Sequence, residues 1–176
     1  MNLANKLTLF RIILVPFFVL FILTDFTEYN RIVALIIFVI ATITDHFDGA
    51  IARKYNMVTS FGKFIDPIAD KLLVSSALIS LTALGEIPAW IVITIIIREF
   101  IISGIRLVAA NNGSVIAASI WGKAKTITQT AMIIISLLNI PQLYIILQIF
   151  IYASVMLTII SMIDYLIKNQ DVIKFD

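Results

Sequence analysis

The sequence predicts an all-α integral membrane protein, a bundle of six transmembrane helices with both termini on the cytoplasmic side. Three observations predict it. Of 176 residues, 61% are hydrophobic and 14% charged, with a mean hydropathy of +1.06; such a composition excludes an ordinary water-soluble domain. The apolar residues fall into six runs, each near the roughly 20 residues that a helix needs to cross a bilayer. Within those runs the apolar character is continuous, as in Ile93 to Ile97, whereas a lipid-facing β-strand alternates apolar and polar residues.

The first run, about Leu7 to Leu23, ends at Thr24-Asp25-Phe26-Thr27-Glu28. Its basic start resembles a signal peptide, but the run is too long and no clear small-residue cleavage site follows, so it reads as a retained crossing. The second covers about Arg31 to Arg53, and a polar link, Lys54 to Ser60, leads to the third, about Phe61 to Leu84. Gly85 closes the third, with Pro88 soon after. The fourth spans about Ala89 to Ala110 and stops at Asn111-Asn112-Gly113, a turn signal. The fifth, about Ala117 to Leu138, ends at Asn139-Ile140-Pro141, and the sixth runs from about Gln142 to Ile167. Lipid leaves unpaired backbone groups no partner, so each run is read as a helix. A single membrane domain over residues 1–176 accounts for the chain, with no room for a sizeable domain outside the membrane.

Basic residues orient the bundle. Lys6 and Arg11, then Arg53, Lys54 and Lys63, then Arg106, Lys123 and Lys125, and finally Lys168 and Lys174 lie toward one side. The opposite links hold only Arg31 against Asp25, Glu28 and Glu86. The basic side is cytoplasmic, and six crossings return both termini to it. A formal net charge of +2 is too small to argue for nucleic acid, and the lack of cysteine removes disulfides, thiol nucleophiles and thiolate metal sites.

The chemistry is concentrated in D-x2-D-G-x2-A-R-x8-G-x3-D-x3-D, from Asp45 to Asp70. Acids in apolar surroundings are costly and mark function. Asp45, Asp48 and Ala52 share one helix face by spacing, and Gly62, Asp66 and Asp70 share another. Two helix ends joined by a short link can bring those faces together. Four carboxylates around one gap repel unless cations sit between them. Oxygen-only donors suit Mg²⁺ or Mn²⁺, and four suit a pair of ions that clamps an in-line phosphoryl displacement. Gly49, Ala52 and Gly62 keep those faces free of bulk. The bland alternative, a turn at Asp48-Gly49 with Arg53 a boundary residue, does not explain four acids in register.

At this spacing the chain resembles the CDP-alcohol phosphatidyltransferases, matching every fixed position of their signature. Asn5-Lys6-Leu7-Thr8 with Arg11, Arg98-Glu99, Gly104-Ile105-Arg106 and Gly122-Lys123-Ala124-Lys125-Thr126 resemble further stretches of the bacterial branch that uses glycerol 3-phosphate. The last helix resembles the family in hydropathy alone. The resemblance implies a membrane enzyme that replaces the CMP of CDP-diacylglycerol with an alcohol, glycerol 3-phosphate being the expected one. It implies that Asp45, Asp48, Asp66 and Asp70 hold two divalent cations, Mg²⁺ or Mn²⁺, and that Asp70 is also the general base. It places Gly49, Ala52, Arg53 and Gly62 near the CDP group. It also implies a homodimer in the cytoplasmic membrane with its active site toward the cytoplasm. His46 stands where an aromatic or apolar residue is expected, off the Asp45/Asp48 face, and reads as structural.

Arg98, Arg106, Lys123 and Lys125 supply the fixed cations that a phosphate-bearing acceptor needs, since guanidinium binds phosphate in a two-toothed fork. Positive-inside anchoring competes with that reading, most strongly at Lys125, and Arg98 is also able to pair with Glu99 or with an aspartate across the bundle. Asn5, Thr8 and Arg11 open the first helix, with Thr8 and Arg11 on one face; they are candidate supports of the site. Other acceptors, namely inositol phosphate, serine or phosphatidylglycerol, remain alternatives. From a different class, a divalent-cation transporter would place its acids near the midplane, often on repeats. Here the acids lie at one edge beside a polar link, and no repeat is visible.

Overall fold

A computed structural model describes residues 3–54, 60–111, 116 and 119–170; the side chains of 3–5, 46–54, 60–64, 66–67 and 111 lie outside the described set. Among the described residues the chain is helical, with no strand: α1 (Leu3–Leu23), α2 (Asn30–Lys54), α3 (Ser60–Ala83), α4 (Ala89–Asn111), α5 (Ile120–Leu138), a 3-10 turn (Pro141–Leu143) and α6 (Tyr144–Lys168). Each expected run is a helix. Among the described residues two stretches, Lys6–Leu23 and Pro141–Lys168, are long and apolar enough to cross a membrane. The acidic motif and the candidate phosphate-binding cations sit on the other four helices.

By packing, the chain divides into two compact units: Met1–Glu86 with Leu137–Asn139, and Ile87–Ser136 with Ile140–Asp176. In the first, α1 packs against both α2 and α3. Phe18 of α1 and Phe38 of α2 are fully buried, their rings 6.1 Å apart and tilted by 50°, a favourable aromatic geometry. Ala34, Ala41, Ala69 and Ala77 are also fully buried, and small side chains let helices approach closely.

The helix ends of this unit are built locally. Asn30 opens α2 and accepts from the Thr27 backbone N–H and hydroxyl, both at 2.9 Å, while its amide donates to the Thr24 carbonyl. Asn30 thereby ties down the turn after α1. Gly85, at φ +76°, closes α3 as expected: the Gly85 N–H reaches the Thr82 carbonyl at 2.9 Å and the Glu86 N–H reaches Leu81 at 3.0 Å. This doubly bonded left-handed cap satisfies carbonyls that the helix leaves open. An ion pair between Arg31 and Glu86 joins the start of α2 to the residue after that cap.

In the second unit α4 packs against α6. The interior there is partly polar. Along α6, Ser154, Thr158 and Ser161 are fully buried, while Ile145, Ile149, Tyr152, Met156, Ile163 and Ile167 are exposed. On α2 the exposed row is Ile32, Ile36, Ile40 and Ile43, and on α4 it includes Ile93, Ile97 and Phe100. Continuous apolar outer rows around a partly polar interior suit a lipid surround.

Candidate active site

The acidic motif is divided between α2, which carries Asp45, Asp48, Gly49, Ala52 and Arg53, and α3, which carries Gly62, Asp66 and Asp70. Asp48, Gly49, Ala52, Arg53, Gly62 and Asp66 lie outside the residues whose side chains are described, as do His46 and Asn5. The two acids that frame the motif are described. Asp70 is exposed, and the Asp45 side chain is 41% exposed. Among the described residues no three acids or histidines come together, Asp48 and Asp66 being outside them.

What the structure does bring together is Asp45 and Arg11. The Arg11 guanidinium is completely buried on α1, and its Nη1 lies 2.5 Å from Asp45 Oδ1. Thr8, one turn earlier on the same face, is 1% exposed. A cation inside an apolar helix requires an anionic partner, because desolvation without one is very costly. The pairing has the reverse effect on Asp45. Its carboxylate is held from the protein side by one guanidinium nitrogen while the side chain stays 41% exposed. Such a held acid is suited to ligate a cation. The donor chemistry fits the expected ions: exposed carboxylates at both ends of the motif offer hard oxygen ligands of the kind Mg²⁺ and Mn²⁺ prefer.

The second unit holds the candidate phosphate-binding cations. Arg98 on α4 is 7% exposed and Lys125 on α5 is 3% exposed. Both reach one carboxylate oxygen: Arg98 Nη1 lies 3.1 Å from Glu99 Oε1, and Lys125 Nζ forms a close ion pair with the same atom. Lys125 is therefore no boundary anchor, since an anchor would hold its ammonium in water. Among the described residues, Glu99 is the carboxylate that these two buried cations share. Arg98 Nε is buried and has no hydrogen-bond partner among the described residues. A Cβ added at Gly122 would sit 3.6 Å from Arg98 Nη2, so the guanidinium lies close against the start of α5. Lys123 is exposed on α5, and Arg106 is exposed near the end of α4 with its Cζ 5.6 Å from the Tyr165 ring centroid.

Two contributors escape a reading of spacing. Glu99 reads as a neighbour of Arg98, but its bond to Lys125 joins residues 26 apart on different helices. Tyr165 lies within the sixth apolar run with no motif around it. The available signal is a polar stripe, Ser154, Thr158, Ser161 and Tyr165, at offsets that share one face of α6.

A family model described as CDP-alcohol phosphatidyltransferase matches residues 1–160. The chain is 42% identical to the CDP-diacylglycerol–glycerol-3-phosphate 3-phosphatidyltransferase of Bacillus subtilis, over 98% of this chain and 97% of that protein. It is 39% identical to the protein of that name from Rickettsia bellii, over 93% of each chain. With the Shigella flexneri protein of that name it shares 42% identity over 94% of this chain and 93% of the relative.

Proposed function

We infer the activity from a premise, that the chain belongs to the CDP-alcohol phosphatidyltransferase family. It transfers the phosphatidyl group of CDP-diacylglycerol to sn-glycerol 3-phosphate, giving phosphatidylglycerol phosphate and CMP. One observation carries this reading: relatives 39–42% identical over nearly the whole chain bear the name of that enzyme, and the complete aspartate motif accompanies the match.

The reaction is an in-line displacement. The acceptor's primary hydroxyl attacks the phosphorus on the lipid side, a new P–O bond forms, and CMP leaves with the electron pair of the broken bond. Asp70 takes the hydroxyl proton. Asp45, Asp48, Asp66 and Asp70 would hold two divalent cations, Mg²⁺ or Mn²⁺, whose charge would offset that of the diphosphate and the leaving group. Arg11 fixes the orientation of Asp45. Gly49, Ala52 and Gly62 leave space for the CDP group beside Arg53. Arg98, Arg106, Lys123 and Lys125 bind the acceptor's phosphate, which disfavours an uncharged acceptor such as serine.

The whole chain acts as one catalytic domain of six crossings, with both termini and the aspartate motif cytoplasmic. Supporting this are the isoleucine-rich outer faces and the distribution of Lys and Arg. A homodimer is the assembly that the family resemblance suggests.

The test is CMP release from labelled CDP-diacylglycerol by the purified protein, supplied in turn with glycerol 3-phosphate, inositol phosphate, serine and phosphatidylglycerol. Glycerol 3-phosphate is expected to support turnover well above the others; a preference for any other acceptor overturns the assignment. Exhaustive chelation is expected to abolish CMP release, with Mg²⁺ or Mn²⁺ restoring it. Full activity after chelation removes the two-cation mechanism. Divalent flux into liposomes without CMP release would instead establish a transporter.

A further inference from the structure

Tyr165 has a feature that packing does not explain. It lies on the buried face of α6, is 2% exposed, and its hydroxyl has no hydrogen-bond partner among the described residues. On the same stripe the Ser154 hydroxyl, three turns earlier, also lacks a partner among the described residues, whereas two nearer neighbours are satisfied within the helix. The Thr158 hydroxyl donates to the Ser154 carbonyl at 2.7 Å and the Ser161 hydroxyl to the Thr158 carbonyl at 3.0 Å. A buried phenol oxygen without a partner is costly, and phenylalanine would fill the same space without that cost.

The ring has a visible role. Arg106 lies over it, 5.6 Å from guanidinium carbon to centroid, within cation–π range, and a phenylalanine ring would serve as well. Arg106 has no carboxylate partner among the described residues. The nearby Asp164 is engaged by Lys168 at 2.6 Å, one turn along α6. The ring therefore holds a guanidinium with unspent charge, and beside that ring is a hydroxyl with an unspent donor. A tetrahedral oxyanion accepts hydrogen bonds from both.

We propose that Tyr165 is a binding residue of the acceptor subsite: its ring orients Arg106, and its hydroxyl donates to an oxygen of the acceptor's phosphate. This rests on Arg106 belonging to that subsite. It gives α6 a direct part in choosing the acceptor, and it explains why this position is tyrosine and not phenylalanine.

The experiment is steady-state kinetics of the full-length protein in detergent–lipid micelles with Tyr165→Phe, Tyr165→Leu and Arg106→Ala, glycerol 3-phosphate and CDP-diacylglycerol being varied separately. Loss of one phosphate hydrogen bond in Tyr165→Phe should raise the KM for glycerol 3-phosphate about fivefold to tenfold, with the KM for the CDP-lipid unchanged. Its thermal midpoint should equal or exceed that of the parent, because an unpartnered buried hydroxyl is removed. Tyr165→Leu, which also releases Arg106, should raise that KM further. An unchanged KM for glycerol 3-phosphate in Tyr165→Phe, while Arg106→Ala raises it, overturns the role of the hydroxyl alone. If Arg106→Ala leaves that KM unmoved, the underlying placement of Arg106 fails as well. Equal effects on both substrates in Tyr165→Phe also overturn the proposal, since they mark a general structural role.

Discussion

Both units bury arginine in an apolar surround, yet they solve the resulting charge problem in opposite ways. In the first, one buried cation, Arg11, serves an acid that remains 41% exposed. In the second, one acid, Glu99, serves two buried cations, Arg98 and Lys125. The first arrangement leaves a carboxylate oriented and available, which favours a metal ion. The second gathers two buried cations around one carboxylate, an arrangement suited to an anion. A buried ion pair is weak evidence for stability, because desolvation offsets much of its attraction. These pairs are better understood as devices that hold functional groups at a set angle. On the proposed reading, metal-holding and phosphate-holding duties fall to different units and should be separable by mutation.

The largest expected effect tests the acidic side. Asp70→Asn keeps shape but removes the proposed proton acceptor, and turnover should fall by about a hundredfold to ten-thousandfold while CDP-diacylglycerol still binds. Asp48→Asn should instead weaken metal and CDP-lipid binding together. Equal losses of lipid affinity in the two variants would make Asp70 only another ligand. Turnover and CDP-lipid affinity, measured side by side, decide between these.

Next in size is Arg106→Ala in the second unit. Removing a charge-assisted phosphate contact of about 1.5–3 kcal/mol should raise the KM for glycerol 3-phosphate about tenfold to a hundredfold, leaving the CDP-lipid KM in place. If the lipid substrate suffers instead, the division of duties between the units is wrong.

Arg11→Lys should have the mirror-image signature. Lysine keeps the charge but loses the planar fork, so Asp45 is held less firmly. We expect kcat to fall about tenfold, equivalent to roughly 1.4 kcal/mol of misplaced transition-state stabilisation, and the Mg²⁺ requirement to rise. The KM for glycerol 3-phosphate should stay as it was; a selective rise in that KM would place Arg11 with the acceptor.

The smallest effect is a control outside both duties. Gly85 has φ +76° with nothing within 4 Å of an added Cβ, so Gly85→Ala meets conformational strain and no clash. It should lower stability by about 1–2 kcal/mol, the penalty of a left-handed alanine, with both KM values unchanged. A thermal melt in detergent reads the first, and the CMP-release assay reads the second.

The helices were almost fully legible before any coordinates. The second run, expected at about Arg31 to Arg53, is Asn30–Lys54, and the sixth, expected from about Gln142 to Ile167, is Tyr144–Lys168 after a 3-10 turn at Pro141–Leu143. Their stops were legible for a local reason: Gly85 and Asn139 adopt positive φ, a conformation most residues avoid. The four aspartates were legible as a pattern because spacing alone places them on two faces. The support around them was only half legible. Thr8 and Arg11 share a face by spacing, but nothing in the first helix announces that Arg11 reaches Asp45.

By itself, then, the sequence determined where the chain is helical and which groups carry charge. Backbone hydrogen bonds close within each helix, and lipid permits little else, so these properties depend on neighbours a few residues away. Only the tertiary structure decided which charges neutralise one another. Arg11 with Asp45, Lys125 with Glu99, and Arg106 over Tyr165 each join different helices. Such pairings depend on how each helix is rotated about its axis and on which level it meets its neighbour. A turn of 100° per residue aims a side chain at the interior or at lipid, and side-chain packing between helices sets that angle.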